Sequence, residues 1–254
     1  MNRIQSLFQK DKKVLSIYFT AGYPKINDTV SILNELQNSG VDMVEIGLPF
    51  SDPLADGPTI QASSTTSLDN GMTTNLLFEQ LDNIRETITI PLLIMGYFNP
   101  MMQFGIENFC KKCQSVGIDG LIIPDLPIDE YLIHYKSTFE IYGISIVFLV
   151  TPQTSEERIR YIDSISNSFI YLVSSASVTG GKEKFEDKQL QYFQKTAAMK
   201  LKNQLVAGFG IGNKTTFQQA TTFTNGAIIG SAFIQTLTHK GISAIADFIK
   251  SIRD

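Results

Sequence analysis

Short apolar runs rich in valine and isoleucine recur along the chain, and a longer amphipathic stretch follows each of them. Such runs, bounded by turn residues, are typical of strands buried on both faces of a parallel sheet. The pattern predicts eight strands, at Val14–Phe19, Met43–Gly47, Pro91–Met95, Gly120–Ile123, Ser145–Val150, Phe169–Val173, Leu205–Ala207 and Ala227–Ile229.

Helical spacing of apolar residues marks the segments between these strands. A helix over Asn27–Ser39 ends at a glycine, which is a common helix terminator. Thr154 and Glu157 have the spacing of a capping box that opens the next helix along. The predicted helices are Asn27–Ser39, Leu76–Thr87, Ile106–Val116, Ile128–Ile141, Ser155–Ser164, Glu186–Leu201, Lys214–Phe223 and Ile242–Ile252.

Alternation of strands and helices indicates an α/β fold with right-handed crossovers. A closed barrel and a doubly wound open sheet both satisfy this alternation. Eight units in 254 residues favour a (β/α)8 TIM barrel, because such barrels typically have roughly 250 residues. No linker or charge block marks a boundary, so residues 1–254 are expected to form a single domain.

Composition narrows the classes of function. The chain is 43% hydrophobic and 18% charged, with a formal net charge of −4. This balance argues against nucleic acid or a membrane surface as a partner, so a phosphorylated ligand needs a local site. The first residues lack the order of a secretory signal, and no apolar run reaches the roughly 20 residues of a membrane span. We therefore expect a soluble cytoplasmic protein.

The cysteines and histidines do not predict a reactive site. Cys110 and Cys113 match C-x-x-C, but they lie within a predicted helix and no second pair completes a zinc site. His134 and His239 are far apart in sequence and follow no strand. We expect the cysteines to pack structurally and no metal to be bound.

Candidate chemistry follows the strands, because the active site of a (β/α)8 barrel lies at the C-terminal ends of its strands. Glu45 stands between Val44 and Ile46 near the end of the second strand, and alternation places it on the opposite face from both. A carboxylate in that apolar setting has a raised pKa and suits proton transfer. The residues alone leave open a structural glutamate in an internal ion pair.

A stiff loop with three prolines follows this strand and contains Asp56. Asp56 is suited to accept a hydrogen bond from a substrate donor. Alternatively it caps the helix that begins after Gly57-Pro58, and the spacing taken by itself favours the cap.

Glycine-rich turns follow the last two strands, where barrels often bind phosphate. Gly208-Phe209-Gly210-Ile211-Gly212 and Gly230-Ser231 offer backbone N–H groups and close approach to an anion. Asn213 replaces the third glycine of a dinucleotide-binding fingerprint, which excludes that function. After strand six, residues 174–182 have the length and small side chains of a mobile lid or of an ordinary flexible connection. Tyr171, near the end of that strand, either reaches the site or fills the barrel.

These segments also resemble the tryptophan synthase alpha subunit family. The resemblance is densest in the continuous run from Val44 to Gln61, which reads VEIGLPFSDPLADGPTIQ. It extends in the same order over most of the chain, through Thr20–Pro24, Met95–Pro100, Pro124–Pro127, Val178–Gly180, Gly208–Ile211 and Gly230–Ser231.

The resemblance implies a lyase of tryptophan biosynthesis that cleaves indole-3-glycerol phosphate to indole and D-glyceraldehyde 3-phosphate without a cofactor. It implies Glu45 and Asp56 as the catalytic carboxylates. The implied substrate-binding residues are Tyr171, Thr179, Gly180, Phe209, Gly210, Gly230 and Ser231.

The same resemblance implies a short helix over Ile4–Gln9 before the first strand. It also implies an alpha2-beta2 heterotetramer with a pyridoxal-phosphate beta subunit that receives indole through a tunnel. The loop at Pro53–Asp56 and the segment near Pro127 would face that partner. Ser175 and Ser177 depart from the family's usual arginine and glycine, which leaves the phosphate pocket and lid less defined.

Two other functions remain to be separated from this one. A phosphosugar isomerase or epimerase explains the glycine-rich turns but not the pairing of Glu45 with Asp56. A catalytically idle subunit that only activates a beta partner is the other, and two intact carboxylates argue against it.

Overall fold

The computed structural model describes residues 2–174 and 184–254. Within these ranges, parallel strands pair in sequence order, and the last strand pairs with the first to close a barrel. The closed barrel is therefore correct and the open-sheet alternative is wrong. Its strands are β1 Val14–Thr20, β2 Met43–Gly47, β3 Leu92–Met95, β4 Gly120–Ile122, β5 Ser145–Val150, β6 Ile170–Val173, β7 Leu205–Gly208 and β8 Gly226–Ile229.

Helices surround the barrel, and a short helix precedes β1 as the resemblance implied. They are α1 Arg3–Leu7, α2 Asp28–Asn38, α3 Pro58–Asp69, α4 Thr74–Gln80, α5 Phe98–Phe104, α6 Ile106–Val116, α7 Ile128–Glu130, α8 Lys136–Ile141, α9 Glu156–Ile165, α10 Asp187–Ala198, α11 Lys214–Thr221, α12 Ser231–Lys240 and α13 Ile245–Arg253.

Three details of the helix predictions are wrong. The predicted helix Leu76–Thr87 is two pieces, α4 and a 3-10 turn at Ile84–Glu86, because Asn83 adopts a left-handed conformation with φ 57°. A π turn at Tyr131–Tyr135 joins α7 to α8. The cap of α9 is Ser155, whose side chain accepts a hydrogen bond from the Arg158 N–H, and not the predicted capping box.

The register of the strands decides which side chains fill the barrel. Paired residues of parallel strands point to the same face, and Tyr18 pairs with Glu45, which in turn pairs with Leu93. Every residue of β1 and β2 is buried, because the barrel interior covers one face and the helices cover the other. Apolar residues on both faces therefore explain the continuous runs seen in the sequence.

Two buried aspartates brace the N-terminal ends of the strands. Asp119, just before β4, pairs with Arg3 at 3.0 Å and with Arg85 at 2.7 Å, and it accepts the Leu92 N–H. Asp42, just before β2, pairs in the same way with two basic side chains, Lys12 and Arg253. This end of the barrel has the character of a stabilising face.

The two cysteines and the lengths of the described helices bear on the remaining predictions. Cys110 and Cys113 are free and buried within α6, as expected for packing residues. Burial raises the pKa of the Cys110 thiol to about 12, so that thiol is unreactive at neutral pH. None of the helices in the described ranges is both long and apolar enough to cross a bilayer.

Candidate active site

Glu45 is a fully buried carboxylate at the C-terminal end of the barrel. Its Oε1 accepts a hydrogen bond of 3.1 Å from the Ser16 hydroxyl on β1, and its Oε2 has no partner among the described residues. Burial raises its pKa from 4.5 to about 8, against a smaller lowering by Ser16. No described cation pairs with it, so the described residues give no support to the internal ion-pair interpretation.

Asp56 lies in the loop after β2 and is half-buried. The Tyr97 hydroxyl donates to its Oδ2 at 3.0 Å and accepts the Ala55 N–H at 2.9 Å, which fixes the loop. Burial raises the pKa of Asp56 to about 6, and the Tyr97 hydrogen bond partly opposes this rise. The cap of α3 is Gly57 without any side-chain hydrogen bond, so the interpretation of Asp56 as a helix cap is wrong.

Two buried tyrosines, Tyr18 and Tyr171, extend this carboxylate pair, and glycines make room for them. A Cβ on Gly47 would lie 2.2 Å from the Tyr18 hydroxyl, and one on Gly208 would lie 2.1 Å from the Tyr171 hydroxyl. The pKa of Tyr171 is raised first by burial and then by the negative charge of Glu45. Tyr171 therefore lies close enough to Glu45 for their charges to interact, while its side chain is buried in the barrel interior.

A pocket opens at this end of the barrel, where the loops after β2 and β3 meet. It is narrow and combines aromatic and apolar walls with the Asp56 carboxylate. Its lining residues are Tyr18, Leu48, Phe50, Asp56, Ser64, Met95, Gly96, Tyr97 and Pro124. A flat aromatic ring with one polar donor matches this mixture of surfaces.

The glycine-rich turns border the opposite side of the mouth. Phe209 and Gly210 both have positive φ, 66° and 72°, and the Phe209 ring stands edge-on to Tyr171 at 6.2 Å between centroids. Gly230 is the N-cap of α12 and Ser231 is its first residue, and none of the described side chains caps this helix. The first N–H groups of α12 therefore remain available to an anion.

The remaining predicted site residues, Thr179 and Gly180, lie outside the described residues, as do Ser175 and Ser177. Sequence reasoning also missed Ser16, Tyr18 and Tyr97. Tyr18 carried a weak signal, since it lies near the end of β1 with the same alternation as Ser16. Tyr97 lay within a quoted motif, yet nothing in the sequence indicated its hydrogen bond to Asp56.

Histidine, cysteine and acidic side chains do not gather into a metal-binding group of three or more anywhere in the described ranges. His134 lies in the π turn and His239 in the last turn of α12, away from the carboxylates.

The fold and site define a class: a (β/α)8-barrel enzyme with two carboxylates of raised pKa beside an apolar pocket at the C-terminal mouth. Residues 4–251 match the family model described as tryptophan synthase alpha chain. The chain belongs to the tryptophan synthase alpha chain family, whose members are lyases of tryptophan biosynthesis.

Individual relatives agree with this assignment. The chain is 66% identical to the tryptophan synthase alpha chain of Flavobacterium psychrophilum, over 99% of this chain and all of that one. It is 52% identical to that of Bacteroides thetaiotaomicron, over 98% of this chain and all of that one.

Solved structures give the same result. The tryptophan synthase subunit alpha of Legionella pneumophila superposes with a TM-score of 0.90 at 31% identity, covering 100% of this chain and 97% of that one. A chain of tryptophan synthase from M. tuberculosis, in its aminoacrylate-bound form, gives a TM-score of 0.87 at 25% identity, covering 99% and 98%.

Proposed function

We propose that this site cleaves the carbon–carbon bond of indole-3-glycerol phosphate in the retro-aldol sense, with Glu45 and Asp56 as its catalytic residues. The observation that carries this is the pair of carboxylates at the C-terminal mouth: Glu45 is fully buried with Oε2 unpartnered among the described residues, and Asp56 is held by the Tyr97 hydroxyl. Burial raises the pKa of Glu45 to about 8 and the pKa of Asp56 to about 6. At neutral pH the first is protonated and the second is ionised, which is what a general acid and a charge stabiliser need.

The reaction then balances on these two side chains. Protonated Glu45 donates its proton to C3 of the indole ring, and Asp56 accepts a hydrogen bond from the ring N–H as positive charge develops there. The C3–C1′ bond breaks, and its electrons return to the ring while the C1′ hydroxyl becomes an aldehyde. Glu45 takes up the hydroxyl proton and regains its starting state. The protonated ring accepts the electrons, so this step needs no cofactor.

The rest of the substrate is assigned to the glycine-rich side of the mouth. The phosphate would bind the N–H groups at Gly210, Gly230 and Ser231, supported by the uncapped start of α12. Phe209 and Tyr171 would contact the indole ring from that side. Thr179 and Gly180 are proposed to complete the phosphate pocket on the resemblance alone.

A tryptophan synthase beta chain carrying pyridoxal phosphate is the proposed partner, in an alpha2-beta2 heterotetramer that operates in the cytoplasm. Two exposed segments beside the mouth support a docking role. Leu54 is 92% exposed at the tip of the Asp56 loop, and Pro127 is exposed before α7. Single exposed apolar side chains are common on protein surfaces, so the docking role rests on the resemblance, with Leu54 as a candidate contact.

Indole release tests the proposal directly. The purified full chain, alone and with a tryptophan synthase beta chain, is given indole-3-glycerol phosphate beside Glu45→Gln and Asp56→Asn variants. We expect folded variants to lose indole formation by at least about a hundredfold, because each lacks one group acting in proton transfer or charge stabilisation. Cys113→Ser is the control, since it changes one atom of a buried side chain in α6, outside the residues of the mouth.

Wild-type chain that releases no indole even with the beta chain present would refute the proposal. Turnover of phosphosugars in place of indole-3-glycerol phosphate would favour the isomerase or epimerase alternative. Activation of the beta chain without indole formation would favour the idle subunit.

A further inference from the structure

Ser16 is a polar residue in an apolar setting, with Leu15 and Ile17 beside it in the middle of β1. It and Glu45 are both fully buried, and their side chains meet on the barrel-facing side of neighbouring strands. Ser16 Oγ lies 3.1 Å from Glu45 Oε1 and donates a hydrogen bond to it. The other carboxylate oxygen, Oε2, has no described partner.

This contact makes the two carboxylate oxygens of Glu45 inequivalent. A serine hydroxyl has one proton to donate, and here it is directed at Oε1. Strand register fixes both backbones, because β1 and β2 pair continuously from Ser16 to Thr20. The hydrogen bond therefore selects one orientation of the Glu45 side chain and leaves Oε2 as the oxygen free to carry and transfer a proton.

We propose that Ser16 is a positioning residue for the lyase reaction, holding Glu45 by Oε1 so that Oε2 performs the proton transfers. The inference rests on the proposed function, in which Glu45 is the proton-transferring group. Ser16 acts through Glu45 in this account, because its hydroxyl is bonded to Oε1 while Oε2 is the oxygen that exchanges protons with the substrate.

No other described group near Glu45 is suited to hold it as Ser16 does. Tyr18 on β1 and Tyr171 on β6 interact electrostatically with Glu45. Both tyrosines, like Asp56, are acids that carry either no charge or a negative one. Its register partner on β3, Leu93, is apolar. Among the described residues, the Ser16 hydroxyl is the one hydrogen-bond donor whose contact lowers the pKa of Glu45.

The test compares the full chain with Ser16→Ala and Ser16→Thr, measuring indole release from indole-3-glycerol phosphate as a function of pH. Ser145→Ala is the matched control, because Ser145 is another buried serine on a barrel strand, bonded to Asn2 at 2.8 Å. Glu45→Gln is measured in parallel, so that failure of the proposed function is recognised separately.

Removing the hydroxyl should raise the pKa of Glu45 by about one unit, since hydrogen bonds to ionised groups are worth this much. The alkaline limb of the pH profile then moves up by about one unit in Ser16→Ala. A weaker and less well-oriented acid lowers kcat by roughly three- to tenfold, while KM changes less than about twofold. Ser16→Thr, which keeps a hydroxyl, should stay close to wild type in both, as should Ser145→Ala.

Two results overturn the positioning role. One is a Ser16→Ala profile with the wild-type kcat and the wild-type alkaline limb. The other is an equal loss of kcat in Ser16→Ala and Ser16→Thr without a shift of that limb, which indicates packing alone. Retained indole release in Glu45→Gln overturns the proposed function instead.

Discussion

The free energy of unfolding of the Glu45→Gln variant, measured against that of the wild type, should rise from acidic to alkaline pH. Burial raises the pKa of Glu45 from 4.5 to about 8. Between these values the native state keeps a proton that the unfolded chain has released, so the free energy of unfolding falls as pH rises. This destabilisation of the wild type is absent below pH 4.5 and complete above pH 8. At about 1.4 kcal/mol per pKa unit, it reaches about 5 kcal/mol.

Glutamine has the same shape and does not ionise, so the variant lacks this pH-dependent loss. Its amide brings two N–H donors into the buried site, and the cost of leaving them unsatisfied is a roughly constant offset of about 1–3 kcal/mol. The informative quantity is therefore the change with pH of the difference between variant and wild type. Urea denaturation of both proteins from pH 5 to pH 9 measures it, and the variant should gain about 4–5 kcal/mol over that interval.

Asp119→Asn is the matched control, because Asp119 is an equally buried carboxylate with partners. It neutralises a group bonded to Arg3 and Arg85, and leaving a buried guanidinium unpaired is costly. This control should destabilise the protein throughout the same pH range. A Glu45→Gln difference that stays constant from pH 5 to pH 9 would refute the reasoning, since it would mean that Glu45 does not titrate in that interval.

Three further outcomes follow from the same site. The pH profile of kcat/KM for indole release should be bell-shaped, falling below about pH 6 as Asp56 is protonated and above about pH 8 as Glu45 ionises; a profile flat from pH 5 to 9 contradicts these roles. Tyr97→Phe removes the hydrogen bond that lowers the pKa of Asp56, so the midpoint of the acid limb should move up by roughly one pH unit while activity at pH 8 changes little. An acid limb that does not move counts against that contact. Gly47→Ala places a methyl group 2.2 Å from the Tyr18 hydroxyl and should lower stability to urea by about 1–3 kcal/mol, yet cost little in a Tyr18→Ala background; equal costs in both backgrounds would exclude the clash.

The strands were predictable because a strand that is buried on both faces requires a continuous run of apolar residues. Met43–Gly47 and Ser145–Val150 were predicted with their observed bounds. The closed order of strands followed from their number and the length of the chain. Neither inference needed knowledge of contacts between distant residues.

Several helices were absent from the predicted set, or only their start was recognised, because their sequences have weak helical signals. Helix α3, Pro58–Asp69, contains six serine and threonine residues, which favour caps and turns over helix interiors. Helix α5 has only seven residues and contains a proline. Helix α12 begins directly after Gly230 without a capping side chain, so its start carries no recognisable sequence signal.

Only those features of the site that depend on neighbouring residues in the sequence were predictable. Alternation along β2 placed Glu45 on the barrel side, and the observed contact with Ser16 agrees with that face. The partner itself lies 29 residues earlier in the chain, and the Tyr97 contact with Asp56 spans 41 residues. Such pairs depend on strand register and loop conformation, neither of which a single sequence specifies.

Buried carboxylates occur at both ends of this barrel, and their surroundings separate structure from chemistry. At the N-terminal ends of the strands, Asp42 and Asp119 each have two basic partners. At the C-terminal end, Glu45 has one hydroxyl and no described cation, although it is at least as deeply buried. A cation there would stabilise the fold, but it would also hold the carboxylate ionised and remove the acid that C3 protonation requires. The absence of a described cation at Glu45 therefore lowers stability and makes the proposed proton transfer feasible near neutral pH.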